Sequence, residues 1–225
     1  MEDINKYLYS YTIFCFWHSD NLDTMTHLRK TSLDCLYKFT NCNIELITPS
    51  KLNDFILKDY PLHPAFEYLS AVHKSDYLRT YFMHFYGGGY ADIKVPGGDW
   101  KKAFDDIINN TNTVANGYRE EHPSHIAYVD SQKYYDQLIG NGSYICRPQS
   151  EYTKRWFDEL NSLLDKKLDL LIKNPAKYEY DKAEEGNGYP IEWNEILGRI
   201  FHKISVDFKD KLLYTVPKPV LVYYK

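Results

Sequence analysis

The chain has 225 residues, 44% apolar and 26% charged, which is one domain's worth of sequence, able to bury roughly 70% of its unfolded surface. A formal net charge of -4 excludes a general nucleic-acid binder, whose phosphate contacts need a basic face, and leaves room only for a local basic pocket. The 22 Tyr residues and the 16% aromatic share suit a surface that receives sugars or nucleobases, although a biased genome composition yields the same count.

The four cysteines, Cys15, Cys35, Cys42 and Cys146, form no C-x-x-C pair and no metal-cage spacing. They read as reduced thiols of a cytoplasmic protein. No segment has an apolar run long enough for a membrane span.

In chain order, "YTIFCFW" is a β-branched and aromatic run that predicts a buried first strand, ended by the polar His18-Ser19-Asp20-Asn21. Met25, Leu28, Cys35, Leu36 and Phe39 then fall on one side of a predicted helix. "NIELITPS" is a second strand, and Ser50 caps a short helix with Leu52, Phe55 and Ile56 inward. "HPAFEYLSAVHKSDYLRTYFMHFYGGG" predicts one long helix with Pro64 near its start and Gly87 at its C-terminal cap.

"YADIKV" follows as a strand, "WKKAFDDIINN" as a helix, and "TVANGY" and "NGSYICRP" as strands. "SEYTKRWFDELNSLLDKKLDLLIK" is a long amphipathic helix, "NPAKYEYDKAEEGNGYP" a polar surface loop, and "IEWNEILGRIFHKI" a last helix before an extended tail. Strands alternating with helices imply an α/β fold, a mostly parallel central sheet flanked by helices. Ligands bind such sheets at the carboxyl ends of strands, which places His18, Asp92 and the residues after Gly117 on one edge.

Asp92 and Lys94 stand two apart on a predicted strand, so they share a face about 6 to 7 Å apart. Asp76, Arg79 and Thr80 form one polar stripe on the preceding helix. Spacing alone favours a solvated helix face carrying an Asp76–Arg79 ion pair, with glycines that merely turn the chain. His122 and His125, in "EEHPSHIAY", belong to a Pro-containing loop, and Asn141-Gly142 reads as a turn before a strand.

"KSDYLRTYFMHFYGGGYADIKV" resembles the hallmark segment of glycosyltransferases with the nucleotide-sugar-binding GT-A fold: S-D-x-x-R, an apolar turn, G-G-x-Y and then D-x-D. The resemblance is to capsular polysaccharide synthesis proteins and the related group that includes mannosyl- and toxin glucosyltransferases. "GYPIEWNEILGRIFH" and, more weakly, "FWHS" extend it from about Phe14 to His202. It implies a single GT-A-like domain, with a nucleotide-binding part over about 1–100 and an acceptor part over about 101–225. The implied activity is transfer of a hexose from a nucleotide-sugar, UDP-linked by preference, to a glycan or glycoprotein acceptor, as in polysaccharide biosynthesis, with retention of configuration.

Carried over by position, Trp17 stacks on the base with His18 and Ser19 at its edge, and Asp76 and Arg79 bind donor hydroxyls. Asp92 matches the first Asp of D-x-D and helps hold Mn2+ or Mg2+. Asn141 lies beside the donor sugar; the chemistry of a departing diphosphate, which calls for fixed positive groups, makes Lys74, Arg79, Lys94 and a metal ion the candidates to meet it. Asp130, Glu192 and Glu195 are the carboxylates available near the anomeric carbon, with Glu192 taken as catalytic. The three glycines let the backbone approach a bulky anionic donor.

Lys94 departs from the motif, standing where the second Asp would ligate the metal. An ammonium about 6 Å from a divalent ion repels it by roughly 5 kcal/mol at an effective dielectric near 20. Either the ammonium swings away and Asp92, with His202 or Glu192, retains the metal, or Lys94 itself pairs with the diphosphate. The competing reading is a nucleotide-sugar or carbohydrate-binding module that has lost turnover. A metal-dependent phosphohydrolase is disfavoured, because no Asp/His cluster is present.

Overall fold

A computed structural model describes residues 4–220. In chain order the elements are α1 (Lys6–Tyr9), β1 (Thr12–Phe16), α2 (His27–Phe39), β2 (Asn43–Ile47), α3 (Pro49–Leu52), α4 (Ala71–Phe85) and β3 (Gly88–Ala91). They continue with α5 (Lys101–Asn109), β4 (Ala115–Arg119), β5 (Ile139–Cys146), α6 (Glu151–Lys173), α7 (Gly198–Asp207) and β6 (Leu212–Leu213). The six strands form one sheet in the order β2-β1-β3-β5-β4-β6. Only β5 runs against its neighbours, so the sheet is mixed and mostly parallel, and helices cover both faces.

Alternation along the strands splits the core in two. Phe14, Tyr90, Tyr144 and Cys146 point toward the layer containing α4, α6 and α7, where Trp156, Tyr152 and Phe201 are fully buried. Ile13, Cys15, Ala91 and Ile145 point toward α2 and α5, against Leu36, Trp100 and Phe104. Strands buried on both faces have continuous apolar runs, and "TIFCF" and "SYIC" have that character.

Several elements differ from the sequence reading, each for a local reason. On α2, Leu33 and Leu36 face inward, whereas Leu28 and Phe39 are 46% and 47% exposed. The predicted long helix from residue 63 is broken: a 3-10 turn at Pro64–Tyr68 precedes α4, which starts afresh where the Ser70 side chain accepts the His73 N–H. Ser50 does not cap a helix; it lies within α3, with its N–H and hydroxyl donating to Asp20 at 3.0 and 2.7 Å. The last helix begins only at Gly198, because the backbone N–H groups of Glu192 and Trp193 are taken by the side chains of Glu195 and Glu184. Residues 221–225 of the expected extended tail lie outside the described residues.

Gly87 follows Tyr86, the C-cap of α4, at φ 62°, and its N–H donates to the Phe82 carbonyl, closing the helix and reversing the chain into β3. A methyl group there would overlap Pro148. This reversal lays the first half of α4 over the carboxyl end of β3. The Gly87–Gly89 run is therefore at the opposite end of β3 from Asp92. The neighbours of these glycines are Pro148, Thr12, Tyr7, Ile13 and Phe104, so they serve packing and do not admit a ligand.

Candidate functional site

The parallel pairing of β1 with β3 puts Phe14 beside Tyr90, so Trp17-His18 and Asp92 leave the sheet side by side. Antiparallel β5 enters at the same edge, where Ser143 pairs with Ala91 and Asn141 lies just beyond. The first half of α4 roofs this edge, and a cleft of about 1250 Å³ opens there. It is lined by Trp17, His18, Lys74, Asp76, Arg79 and Asn141, together with Asp92 and Lys94. Every expected donor-binding residue except Ser19 therefore meets in one cavity. The Ser19 hydroxyl instead accepts the Asn21 N–H in the loop behind it.

The floor is an ionic chain. Arg79 Nη2 lies 3.2 Å from Asp76 and 3.4 Å from Asp92, and Lys94 Nζ donates to Asp92 at 2.8 Å. The Tyr90 hydroxyl donates to the other Asp92 oxygen at 2.6 Å, the Arg79 guanidinium stacks over the Tyr90 ring at 4.3 Å, and Arg79 Nη1 donates to the Asn141 carbonyl at 2.9 Å. Asp76 and Arg79 side chains are 6% and 8% exposed, while Asp92 keeps 23% of its surface open to the cleft.

Their titration follows from these contacts. Burial pushes Asp92 up, but Lys94 and Arg79 together overcome it and hold the carboxyl at about 2. Burial dominates at Asp76, where Arg79 pulls down and Asp92 pushes up, leaving it at about 7. Burial opposes the charge on Arg79, yet Tyr90, Asp76 and Asp92 raise it above its ordinary value.

Asp92 and Lys94 are not on a strand. β3 ends at Ala91, and the Lys94 N–H turns back to the Asp92 carbonyl at 2.7 Å. That tight turn folds the two side chains together, where an extended strand would hold them apart. Gly142 is the glycine this arrangement requires: its carbonyl accepts the Asp92 N–H at 2.8 Å, and a Cβ would sit 3.2 Å from an Asp92 carboxylate oxygen.

Other candidates lie elsewhere. Glu192 is paired with Arg199, 43% exposed, and does not line the cleft. Glu195 is paired with Lys167 at 2.6 Å, and Asp130 is exposed on a 3-10 turn. His202 is 1% exposed and also off the lining. Its Nδ1 accepts the Ala127 N–H at 3.0 Å, and burial lowers its pKa to about 4. His125 pairs with Glu120, and His122 with Ser124.

A divalent cation at Asp92 does not fit this donor set. Both carboxylate oxygens are already engaged, by an ammonium and a guanidinium-flanked phenol, and adding a cation would place three positive centres around one carboxylate. Among the described residues no group of three or more His, Cys, Asp or Glu side chains is arranged to hold a metal.

Several site residues were not anticipated. Tyr90 was legible, because it precedes Asp92 by two positions in "YAD" and so shares its face. Arg29, which lines the cleft and donates to the Ile93 carbonyl at 2.7 Å, carries no local signal, since its partner is 64 residues away. The loop over 174–190 contributes Glu179, Tyr180, Lys182 and Glu185, with Glu179 3.0 Å from His18 across the mouth, and Trp193 and Asn194 close the far side. Lys74 lies half-buried with its Nζ 5.6 Å from the Phe66 ring, and burial lowers its pKa.

No family model and no curated protein matches the chain. A solved structure described as "PaToxG Glycosyltransferase" is similar at 13% identity and a TM-score of 0.47, over 91% of this chain and 75% of that chain. Among the described residues no helix is long and apolar enough to cross a membrane, and all four cysteines are free.

Proposed function

We propose that the cleft binds a nucleotide-sugar and that the protein is a glycosyltransferase of the GT-A type, passing a hexose from a UDP-linked donor to a glycan or glycoprotein acceptor. One observation carries the reading. The ionic chain Asp76–Arg79–Asp92–Lys94 stands on the floor of a cleft of about 1250 Å³ that has Trp17 at its rim, at the carboxyl end of a mostly parallel sheet. The volume accommodates a base, a diphosphate and a hexose, and the lining offers Arg79 and Lys94 as cations for a diphosphate and Asp76 and Asp92 as acceptors for a sugar's hydroxyls.

Sugar transfer breaks the anomeric C–O bond through an oxocarbenium-like state while negative charge gathers on the departing diphosphate. Cations held in place at that oxygen, away from bulk water, lower the barrier most. Arg79 and Lys94 are held in this way by Asp92. Asp76 and Asp92 are both engaged with these cations, so neither is placed to take the acceptor's proton. Transfer with retention, in which the leaving phosphate accepts that proton, needs no protein base and fits the site best. Ser75 in the roof and Asn141 on the floor offer neutral partners for the donor's hydroxyls.

Incubation with UDP-glucose, UDP-N-acetylglucosamine and GDP-mannose, followed by measurement of released nucleoside diphosphate, tests the proposal. Release that is lost in Asp92→Ala supports a transferase. Thermal stabilisation by the same donors with no release favours the binding-module reading, for which the engaged carboxylates are the motive. Neither stabilisation nor release with any donor refutes both.

A further inference from the structure

We propose that Lys94, with Arg29, replaces the divalent cation as the neutralising partner of the donor's diphosphate, so that nucleotide binding by this chain is independent of Mn2+ and Mg2+. The inference rests on the nucleotide-sugar reading above and concerns how that site holds its ligand.

Three observations carry it. First, the position that would complete an acidic metal pair holds an ammonium, and the turn at residues 92–94 seats that ammonium directly on Asp92 at 2.8 Å. Asp92 thus orients a cation that belongs to the chain. Second, Arg29 approaches the same segment from α2: its Nη1 donates to the Ile93 carbonyl at 2.7 Å, which fixes a guanidinium beside the residue preceding Lys94, on the cleft lining. Two positive groups from different elements therefore converge on one short stretch of backbone. Third, the cleft reverses the charge of the molecule. The chain carries -4 overall, yet five Lys or Arg side chains line the cleft against four Asp or Glu. A dianionic or trianionic diphosphate entering a cavity of that balance is attracted without an added ion.

The geometry also accounts for the carboxylate. Asp92 holds Lys94 and, through its other oxygen, the Tyr90 hydroxyl, while Arg79 stands 3.4 Å away. A cation arriving from solution would stand with Lys94 and Arg79 around the same carboxylate and be repelled by both. A diphosphate oxygen, by contrast, is attracted by the same two cations.

Calorimetric binding of UDP and GDP in EDTA and in Mn2+, with uridine and guanosine as controls, decides the matter. The inference predicts a Kd unchanged by EDTA, competition by inorganic pyrophosphate in EDTA, and a loss of about 10- to 100-fold for the diphosphates in Lys94→Met, with nucleoside binding unaltered. Lys94→Asp, which restores an acidic pair, should bind the diphosphates only when Mn2+ is added. A wild-type protein that binds nucleotide only with Mn2+ overturns the inference and leaves the nucleotide-sugar reading standing. Binding that is unaffected by EDTA but equal in Lys94→Met overturns the role of Lys94. Absence of binding under every condition overturns the reading and the inference together. The pyrophosphate competition uses the wild-type chain, so the test survives a variant that fails to fold.

Discussion

Removing the guanidinium of Arg79 tests the floor of the cleft without altering its rim. In Arg79→Met most of the aliphatic stem is kept, while Asp76 and Asp92 lose the cation standing 3.2 and 3.4 Å away. The Coulomb attraction at such separations is about 5 kcal/mol for each pair at an effective dielectric of about 20. Desolvation offsets much of this, and breaking a buried ionic cluster by deleting one partner costs about 3–5 kcal/mol. The hydrogen bond to the Asn141 carbonyl is lost as well.

Asp76 supplies a signature that a simple packing defect lacks. Burial already raises its carboxyl to about 7, against the pull of Arg79, and without that cation it climbs further. A proton held by the folded chain and not by the unfolded one stabilises the fold as pH falls. The loss is therefore greater at about pH 8 than at about pH 5, by about 1.4 kcal/mol for each unit of further rise up to the higher pH. Urea unfolding of wild type and variant at both pH values measures it. A loss below about 1 kcal/mol that does not change with pH would refute the reasoning, because it is the behaviour of a solvated surface pair.

Other variants probe separate parts of the account. Trp17→Ala should weaken UDP binding by about 1–3 kcal/mol, read by calorimetry, if the indole at the rim stacks on the base. Gly140→Ala would drive a methyl group into the Tyr118 ring beside the site and should cost about 1–3 kcal/mol in denaturant unfolding, more if the strand shifts. His202, held neutral by burial with a pKa of about 4, contributes stability that is full above its ordinary value near 6.5 and is lost as pH falls toward 4. His202→Asn should flatten the stability profile across that interval while leaving donor release in place.

The sequence carried the site further than it carried the elements around it. "YTIFCFW", "GGYAD" and "SDYLR" place Trp17, Asp92, Asp76 and Arg79 by rules that hold locally: alternation along a strand, three- and four-residue spacing on a helix, and strand ends gathered at one edge. What local rules miss is whatever depends on distant partners. The broken helix before α4 turns on the Ser70 cap, the late start of α7 on Glu184 and Glu195, and the placement of Arg29 on a carbonyl 64 residues away. Glu192 and His202 show the same limit. The resemblance implies a role at the donor for each, but Glu192 pairs with Arg199 off the cleft lining and His202 is enclosed with its ring accepting the Ala127 N–H.

The Asp92–Lys94 pair shows where a short backbone detail decides the chemistry. Read as a strand, the two residues share a face about 6 to 7 Å apart. Folded by the 92–94 turn, they form a direct contact at 2.8 Å, with the Lys94 ammonium seated on Asp92.

A crystal structure of the protein with bound UDP-glucose, or with UDP in EDTA, tests the central claim most directly. The account predicts the uracil ring against Trp17, the diphosphate on Lys94 and Arg29, and the sugar or its vacated place beside Asp76 and Asp92. A nucleotide bound elsewhere, or a cleft left empty by saturating donor, would contradict it.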